Sequence, residues 1–134
     1  MLPTECLCTR LRRASRGVSK LYDDALSEIG LNVAQYSLLR HLQRLDRPSI
    51  TDLAEAMGLE RSTLGRNLRV LEGRGMVGLS GGADQRNRLV VLTPAGERLL
   101  GEARGAWQAA QVALKQRLQP QHLDALDELL ASLD

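Results

Sequence analysis

Apolar residues recur at helical spacing near both ends of the chain. In the N-terminal segment the intervals between them alternate between four and three, which is typical of an amphipathic helix with a nearly heptad stripe. This stripe consists of Leu7, Leu11, Ala14, Val18, Leu21 and Ala25. It predicts a helix over about residues 4–28 that stops at Gly30. After Pro120, a second stripe predicts a C-terminal helix, and its members are Leu123, Leu126, Leu130 and Leu133.

Turn formers and helix-start signals divide the segment between these two helices. Arg47-Pro48 ends one helical pattern, Ser49 and Asp52 have the spacing of a capping pair, and Thr93-Pro94 starts another helix. The predicted elements are helices at about 33–45, 51–57, 60–73 and 94–119, and strands at 76–80 and 88–92. With 134 residues the chain has room for one core. We therefore predict a single domain over 1–134, mainly α, with a small β-hairpin.

The two short central helices have the spacing of a helix-turn-helix. A small residue, Ala54, stands where the helices would touch, and Gly58 supplies a permissive turn. Branched and long apolar residues would support the pair, namely Leu53, Met57, Leu59, Leu64 and Leu68. The spacing alone is only moderately specific, because amphipathic helix pairs with glycine turns are common.

The opposite face of the second helix carries polar and basic residues. If Leu64, Leu68 and Leu71 point inward, then Ser62, Gly65, Arg66 and Arg69 point outward, with Thr63 and Asn67 at the margins. An arginine such as Arg66 can bind guanine O6 and N7 together, while Ser62 and Thr63 can bind phosphate near the positive helix end. The predicted DNA contacts on this helix are Arg61, Ser62, Thr63, Arg66, Asn67 and Arg69.

The hairpin adds a second candidate contact with DNA. Its loop, 81–87, is rich in turn formers and carries Arg86, with Arg88 at its base. These guanidinium groups are expected on backbone phosphates or in a narrow minor groove. Asp84 is expected to pair with Arg86 and hold the tip in shape. An exposed hairpin with incidental charge is the alternative.

Charge is segregated along the chain although the net charge is only +2. Residues 1–20 hold five cations against one carboxylate, and 60–88 hold six arginines against three carboxylates. The last fifteen residues hold four carboxylates and no lysine or arginine. This distribution favours one face built for an anion. With no Phe, two Tyr and one Trp, the core must consist mainly of aliphatic side chains.

Several motifs together resemble the MarR family, named for the multiple antibiotic resistance regulator. They are Leu53-Ala54, Ser62-Thr63-Leu64-Gly65-Arg66, Leu71-Glu72-Gly73-Arg74-Gly75-Met76-Val77, Asp84-Gln85-Arg86 and Leu92-Thr93-Pro94-Ala95-Gly96. The resemblance covers essentially the whole chain. It implies a winged helix-turn-helix lobe at about 33–92, flanked by dimerisation helices at about 1–28 and 94–134. It also implies a homodimer that regulates transcription at a pseudo-palindromic operator, most often as a repressor released by a small ligand or an oxidant.

The apolar stripes of the first helix and the last two helices support a dimer independently, because a lone winged core could not fully cover them. A winged-helix module that binds proteins without specific DNA binding is the alternative function. An enzyme is disfavoured, since the chain has no Gly-rich phosphate loop, no metal-ligand cluster and no convergent Ser/His/Asp set. We expect no cofactor and no membrane span.

Cys8 is the candidate sensor of an oxidant. Its position fourteen residues before Tyr22 resembles that of the peroxide-reactive cysteine in the organic hydroperoxide resistance regulators of the family. Val33 stands where that group has a second tyrosine, and no later cysteine could resolve a sulfenic acid. An inert thiol is the alternative. Cys6 and Cys8 are too close together to staple a fold, which fits a reducing cytoplasm, and they do not suffice for a metal site.

Overall fold

A computed structural model describes residues 5–81 and 88–134. Within these ranges the chain forms six α-helices, a short 3-10 turn and a two-stranded antiparallel hairpin. The elements are, in order, α1 (Leu7–Leu26), the 3-10 turn (Ser27–Ile29), α2 (Val33–Arg44), α3 (Ile50–Met57), α4 (Arg61–Gly73), β1 (Val77–Ser80), β2 (Leu89–Leu92), α5 (Pro94–Arg117) and α6 (Pro120–Leu133). The predicted elements are all present, and most of their ends differ by no more than three residues. The mainly α fold class with a hairpin is therefore confirmed.

The helix starts follow from local sequence. Asn32 and Gln35 form a capping box, in which the Gln35 N–H donates to Asn32 Oδ1 at 2.8 Å and the Asn32 N–H donates to Gln35 Oε1 at 3.0 Å. The Ser49 hydroxyl caps α3 by accepting from the Asp52 N–H at 3.0 Å. Thr93 caps α5 in the same way, and Pro94 follows it at the first helical position. Each cap satisfies a backbone donor that the helix itself cannot.

The core is built from leucine. Side chains with almost no exposed surface come from five elements, and they are Leu26, Leu38, Leu39, Leu53, Leu64, Leu68, Leu71 and Val90. One aromatic contact joins the two halves of the fold, because the ring of Tyr36 in α2 stacks on Trp107 in α5 with centroids 5.7 Å apart. An aliphatic core was expected from the composition, and the structure confirms it.

The hairpin also pairs with a third segment of the chain, which the sequence did not predict. Strand β1 pairs with β2 in the register Val77↔Leu92 to Ser80↔Leu89. On its other edge β2 meets the loop before α3, where the Val90 N–H donates to the Pro48 carbonyl at 2.9 Å and the Ile50 N–H donates to the Arg88 carbonyl at 3.1 Å. The base of the hairpin is therefore fixed to the start of α3 by backbone hydrogen bonds.

Helix α5 begins in close contact with the turn that follows α4. Gly96 is buried, and a Cβ at this position would overlap the Met76 carbonyl oxygen and lie 2.7 Å from Leu92 Cδ1. Thr93, just before α5, donates from Oγ1 to the Gly75 carbonyl at 2.7 Å and from its N–H to the Met76 carbonyl at 3.2 Å. Only glycine at position 96 allows the helix to lie this close to the turn.

The two terminal stripes remain uncovered in a single chain. On α1, Leu7 is 68% exposed, and Leu11 and Val18 are also exposed. On α6, Leu133 is 64% exposed, and Leu126, Leu129 and Leu130 also face solvent. Because contiguous exposed leucines on a small domain mark an interaction surface, a single chain is an incomplete unit.

Replacing Gly96 with Ala should lower the free energy of unfolding by about 1–3 kcal/mol, because the added methyl group has no space beside Met76. Gly101 in the same helix is the matched control, since a Cβ there meets nothing within 4 Å. Gly101→Ala should be neutral or stabilising by up to about 1 kcal/mol. Urea denaturation at one fixed protein concentration measures both, and equal effects of the two substitutions would contradict the packing argument.

Candidate nucleic-acid interface

The turn between α3 and α4 has the geometry expected of a helix-turn-helix. Gly58 ends α3 in the left-handed conformation with φ 65°, and its N–H donates to the Glu55 carbonyl at 3.1 Å. The next residue, Leu59, donates to the Ala54 carbonyl at 2.9 Å. These bonds close the C-terminal end of α3 and redirect the chain within three residues into α4. Ala54 is buried at the contact, as predicted.

Three leucines set the rotation of α4 about its axis. Leu64, Leu68 and Leu71 are fully or almost fully buried against α2, α3 and β1. The opposite face is therefore directed outward, and it exposes Ser62, Arg66 and Arg69. Thr63 and Asn67 are half-buried at the margins of this face. The structure thus brings three of the predicted contact residues together on one accessible face of α4, while Arg61 is exposed at the start of the helix.

The N-terminus of α4 is suited to an anion. Its N-cap residue, Glu60, makes no side-chain hydrogen bond to the helix, and the first turn contains no acidic residue. The first backbone N–H groups and the positive end of the helix dipole therefore lie beside Arg61 and Ser62. A helix start that presents backbone N–H groups beside an arginine and a hydroxyl can bind a phosphate, because Arg61 offsets the negative charge of the Glu60 carboxylate.

One apolar side chain shares this face. Val70 follows Arg66 by one turn and is 50% exposed. Its outward position follows from the inward leucines by helical spacing, so the sequence contained the signal. An apolar group on a recognition surface can contact the methyl group of thymine.

The hairpin is only partly within the described ranges. Arg88 is half-buried at the base of the hairpin, where its carbonyl binds the start of α3. Asp84 and Arg86, the other predicted contacts in the hairpin, lie outside the described residues. Because β2 is bonded to the segment before α3, the base of the hairpin has a fixed position relative to the helix-turn-helix.

Both cysteines are exposed near the start of α1. Cys8 and Tyr22 are separated along one helix by about 21 Å, from a rise of roughly 1.5 Å per residue, so Tyr22 of the same chain cannot reach the Cys8 thiol. Tyr22 is instead buried, and its hydroxyl donates to Gln111 Oε1 in α5. Burial raises the pKa of this hydroxyl.

Hydrogen bonds with the side chain and backbone of Thr9 lower the pKa of the Cys6 thiol. Oxidant sensing by Cys8 stays a prediction.

Neither the histidines nor the carboxylates in the described part of the chain form a metal site. Residues 5–81 and 88–134 contain no group of three or more His, Cys, Asp or Glu side chains that could hold a metal ion. The ring of His41 is bonded to the Ser37 carbonyl, and that of His122 accepts from the Gln119 N–H, so both have local structural partners. None of the helices in these ranges has the length and apolar character needed to cross a membrane.

Comparison with known proteins identifies the family. The sequence model of the MarR family matches residues 29–86, which hold the helix-turn-helix and strand β1. Over 96% of both chains, the structure is similar to the transcriptional regulator MosR of M. tuberculosis, solved in complex with DNA, with 32% identity and a TM-score of 0.82. The chain belongs to the MarR family.

Two further relatives support this assignment to the MarR family. A region of 92 residues, 69% of this chain and 67% of the relative, is 28% identical to the uncharacterised HTH-type transcriptional regulator YwoH of Bacillus subtilis. The structure of BpsR from Bordetella bronchiseptica matches with a TM-score of 0.83 and 25% identity over 99% of this chain and 96% of that one. The resemblance drawn from the sequence motifs is confirmed.

Substituting Arg66 with Ala should relax base preference at one position in each half of the bound site, because a bidentate arginine–guanine contact contributes roughly 1–3 kcal/mol of discrimination. Arg104→Ala is the matched control, since it removes the same charge from an exposed position on α5. Binding to a panel of single-base variants of a selected duplex measures the effect. A loss of affinity that is uniform across the panel would assign Arg66 to phosphate instead.

Proposed function

We propose that this MarR-family protein binds double-stranded DNA sequence-specifically as a homodimer and represses transcription. The observation that carries the proposal is the outward face of α4, where Ser62, Arg66 and Arg69 stand opposite three buried leucines. A recognition helix needs one apolar face to hold it and one polar, basic face to enter the major groove. Of the relatives, MosR has been solved with DNA bound.

The residues proposed to contact DNA have different tasks. We assign contacts with base edges to Arg66 and Asn67. Contacts with phosphates, which fix the register, are assigned to Arg61, Ser62, Thr63 and Arg69. Asp84, Arg86 and Arg88 extend the contact through the hairpin to the neighbouring backbone or minor groove.

A second copy of the chain is the proposed partner of the exposed stripes. The leucines of α6 and the apolar residues of α1 belong to the segments that the family uses for dimerisation. Their charges are also complementary, because residues 1–20 are basic and the last fifteen residues are acidic. A homodimer with twofold symmetry presents two α4 helices, which fits a pseudo-palindromic operator.

We further propose that a small ligand or an oxidant releases the protein from DNA. Support comes from BpsR, whose DNA binding is described as regulated by 6-hydroxynicotinic acid. We place this activity in the cytoplasm and assign the chain no catalytic role, in keeping with a family of transcription factors.

Selection of bound sequences from a random duplex library tests the function directly. We expect enrichment of a pseudo-palindrome whose half-sites are about 10–10.5 base pairs apart, centre to centre, or a multiple of that distance. Affinity for the selected duplex should fall steeply with salt, because each neutralised phosphate releases counterions. No enrichment, together with binding that salt does not weaken, would favour the winged-helix protein-interaction module instead.

Dimerisation should be sensitive to a charge in the α6 stripe. Leu130 is 50% exposed in the single chain, and burying a leucine contributes about 1.5–3 kcal/mol. Since Leu130 is already half covered and a symmetric dimer loses two such contacts, the loss is about 1.5–3 kcal/mol. Leu130→Glu should therefore raise the dimer dissociation constant by about tenfold to a hundredfold. Sedimentation equilibrium measures it, with Gln121→Glu as a control that adds the same charge to another position of α6. An unchanged dimer in Leu130→Glu would place the interface elsewhere.

A further inference from the structure

The C-terminal end of α4 is bonded to a helix outside the helix-turn-helix. Arg74 directly follows α4, and its guanidinium donates from Nη1 to the Gly30 carbonyl oxygen at 2.7 Å. Gly30 ends the 3-10 turn that extends α1. Arg74 therefore connects the proposed recognition helix to the end of a proposed dimerisation helix, across 44 residues of sequence.

The local chemistry favours this contact. Carbonyl groups at the end of a helix carry partial negative charge, and a hydrogen bond from a guanidinium to such a group is charge-assisted. Gly30 has φ 80°, a conformation that side chains disfavour, and a Cβ there would lie 3.1 Å from Arg74 Nη2. The glycine thus both permits the turn and leaves room for the guanidinium group.

The two residues after Arg74 are bonded to α5. The Gly75 carbonyl accepts from Thr93 Oγ1 at 2.7 Å, and the Met76 carbonyl accepts from the Thr93 N–H at 3.2 Å. We call residues 74–76 the junction. Three consecutive residues at the end of α4 are therefore fixed between the end of α1 and the start of α5.

Arg74 lies away from the proposed DNA-reading end of α4. It follows Arg61 by thirteen residues, which corresponds to about 20 Å along the helix axis. The N-terminal part of a recognition helix contacts the bases. Although Arg74 belongs to the basic segment 60–88, its exposed guanidinium is bonded to the Gly30 carbonyl of the same chain.

We propose that Arg74 is a positioning residue, through which the junction holds α4 at a fixed angle to α1 and α5 and so sets the separation of the two recognition helices in the dimer. The inference rests on the proposed function, since it concerns how the dimer fits DNA. Two recognition helices must lie about 34–36 Å apart, or a multiple, to enter successive major grooves on one side of the duplex. A looser junction would change which half-site separations the dimer can bind, while each helix could still recognise its own half-site.

The test compares Arg74→Gln with Arg69→Gln on the duplex obtained by selection and on versions with one base pair added to or removed from the spacer. Both variants remove one positive charge from or next to the same helix. For the wild type, a change of one base pair should reduce affinity sharply. In Arg74→Gln we expect affinity for the original spacing to fall about five- to tenfold, the penalty for altered spacing to shrink, and the salt slope to stay the same.

Arg69→Gln should give the opposite result, with a salt slope lower by about one per subunit and an unchanged spacing penalty, as for a phosphate contact. If Arg74→Gln behaves like Arg69→Gln, Arg74 is a DNA contact and the proposal is wrong. Unchanged affinity and unchanged spacing dependence in Arg74→Gln would also overturn it.

A measurement without DNA separates failure of this inference from failure of the proposed function. The Met76 N–H bonds the Leu71 carbonyl at 2.9 Å, and the Leu31 N–H bonds the Leu26 carbonyl at 3.3 Å, on the two sides of the Arg74 contact. Hydrogen exchange at the Met76 and Leu31 amides should be faster in Arg74→Gln than in the wild type, and unchanged in Arg69→Gln. If the wild type binds no DNA, the proposed function fails and exchange alone decides the junction. Unchanged exchange at both amides in Arg74→Gln would contradict the proposal that Arg74 holds the junction.

Discussion

Leu64, Leu68 and Leu71 lie beneath α4 with almost no exposed surface, and their burial fixes the rotation of this helix about its own axis. Burying each leucine contributes on the order of 1.5–3 kcal/mol, so rotating α4 to bring another face inward would expose all three at once. Because these leucines point inward, Arg66 points outward. The composition of the candidate interface therefore follows from packing in the core.

Close backbone contact complements this aliphatic core. A core with no Phe and one Trp has few large side chains to fill gaps between elements, so helices must approach each other closely. The close approach is seen where Gly96 of α5 contacts Met76 after α4, since even a methyl group has no space there. Thr93 adds hydrogen bonds to the same turn. The start of α5 and the end of α4 consequently form one rigid unit.

The two lobes of the fold differ in how far their apolar side chains are covered within a single chain. In the described parts of α2, α3, α4 and the hairpin, most large apolar side chains are covered, and Val70 and Leu89 are the exposed exceptions. On α1 and α6, leucines remain exposed in the single chain. This contrast suits a protein in which one lobe meets DNA and the other meets a second copy. The contacts of residues 74–76 with α1 and α5 link these two lobes.

The sequence by itself determined the elements, the inward face of α4 and the predicted contact residues on its outer face. These features depend on local spacing, on caps such as Ser49 and Thr93, and on the turn at Gly58, all of which involve residues near one another in the chain. Only the tertiary structure decided which distant backbone groups meet. The pairing of β2 with Pro48 and Ile50, the bond from Arg74 to Gly30 and the contact of Gly96 with Met76 leave no periodic signal, because each depends on how separate elements are oriented in space. For the same reason, the sequence alone suggests that Arg74 is one more basic residue of a DNA-binding segment. In the structure its guanidinium instead binds the Gly30 carbonyl, after the 3-10 turn that extends α1.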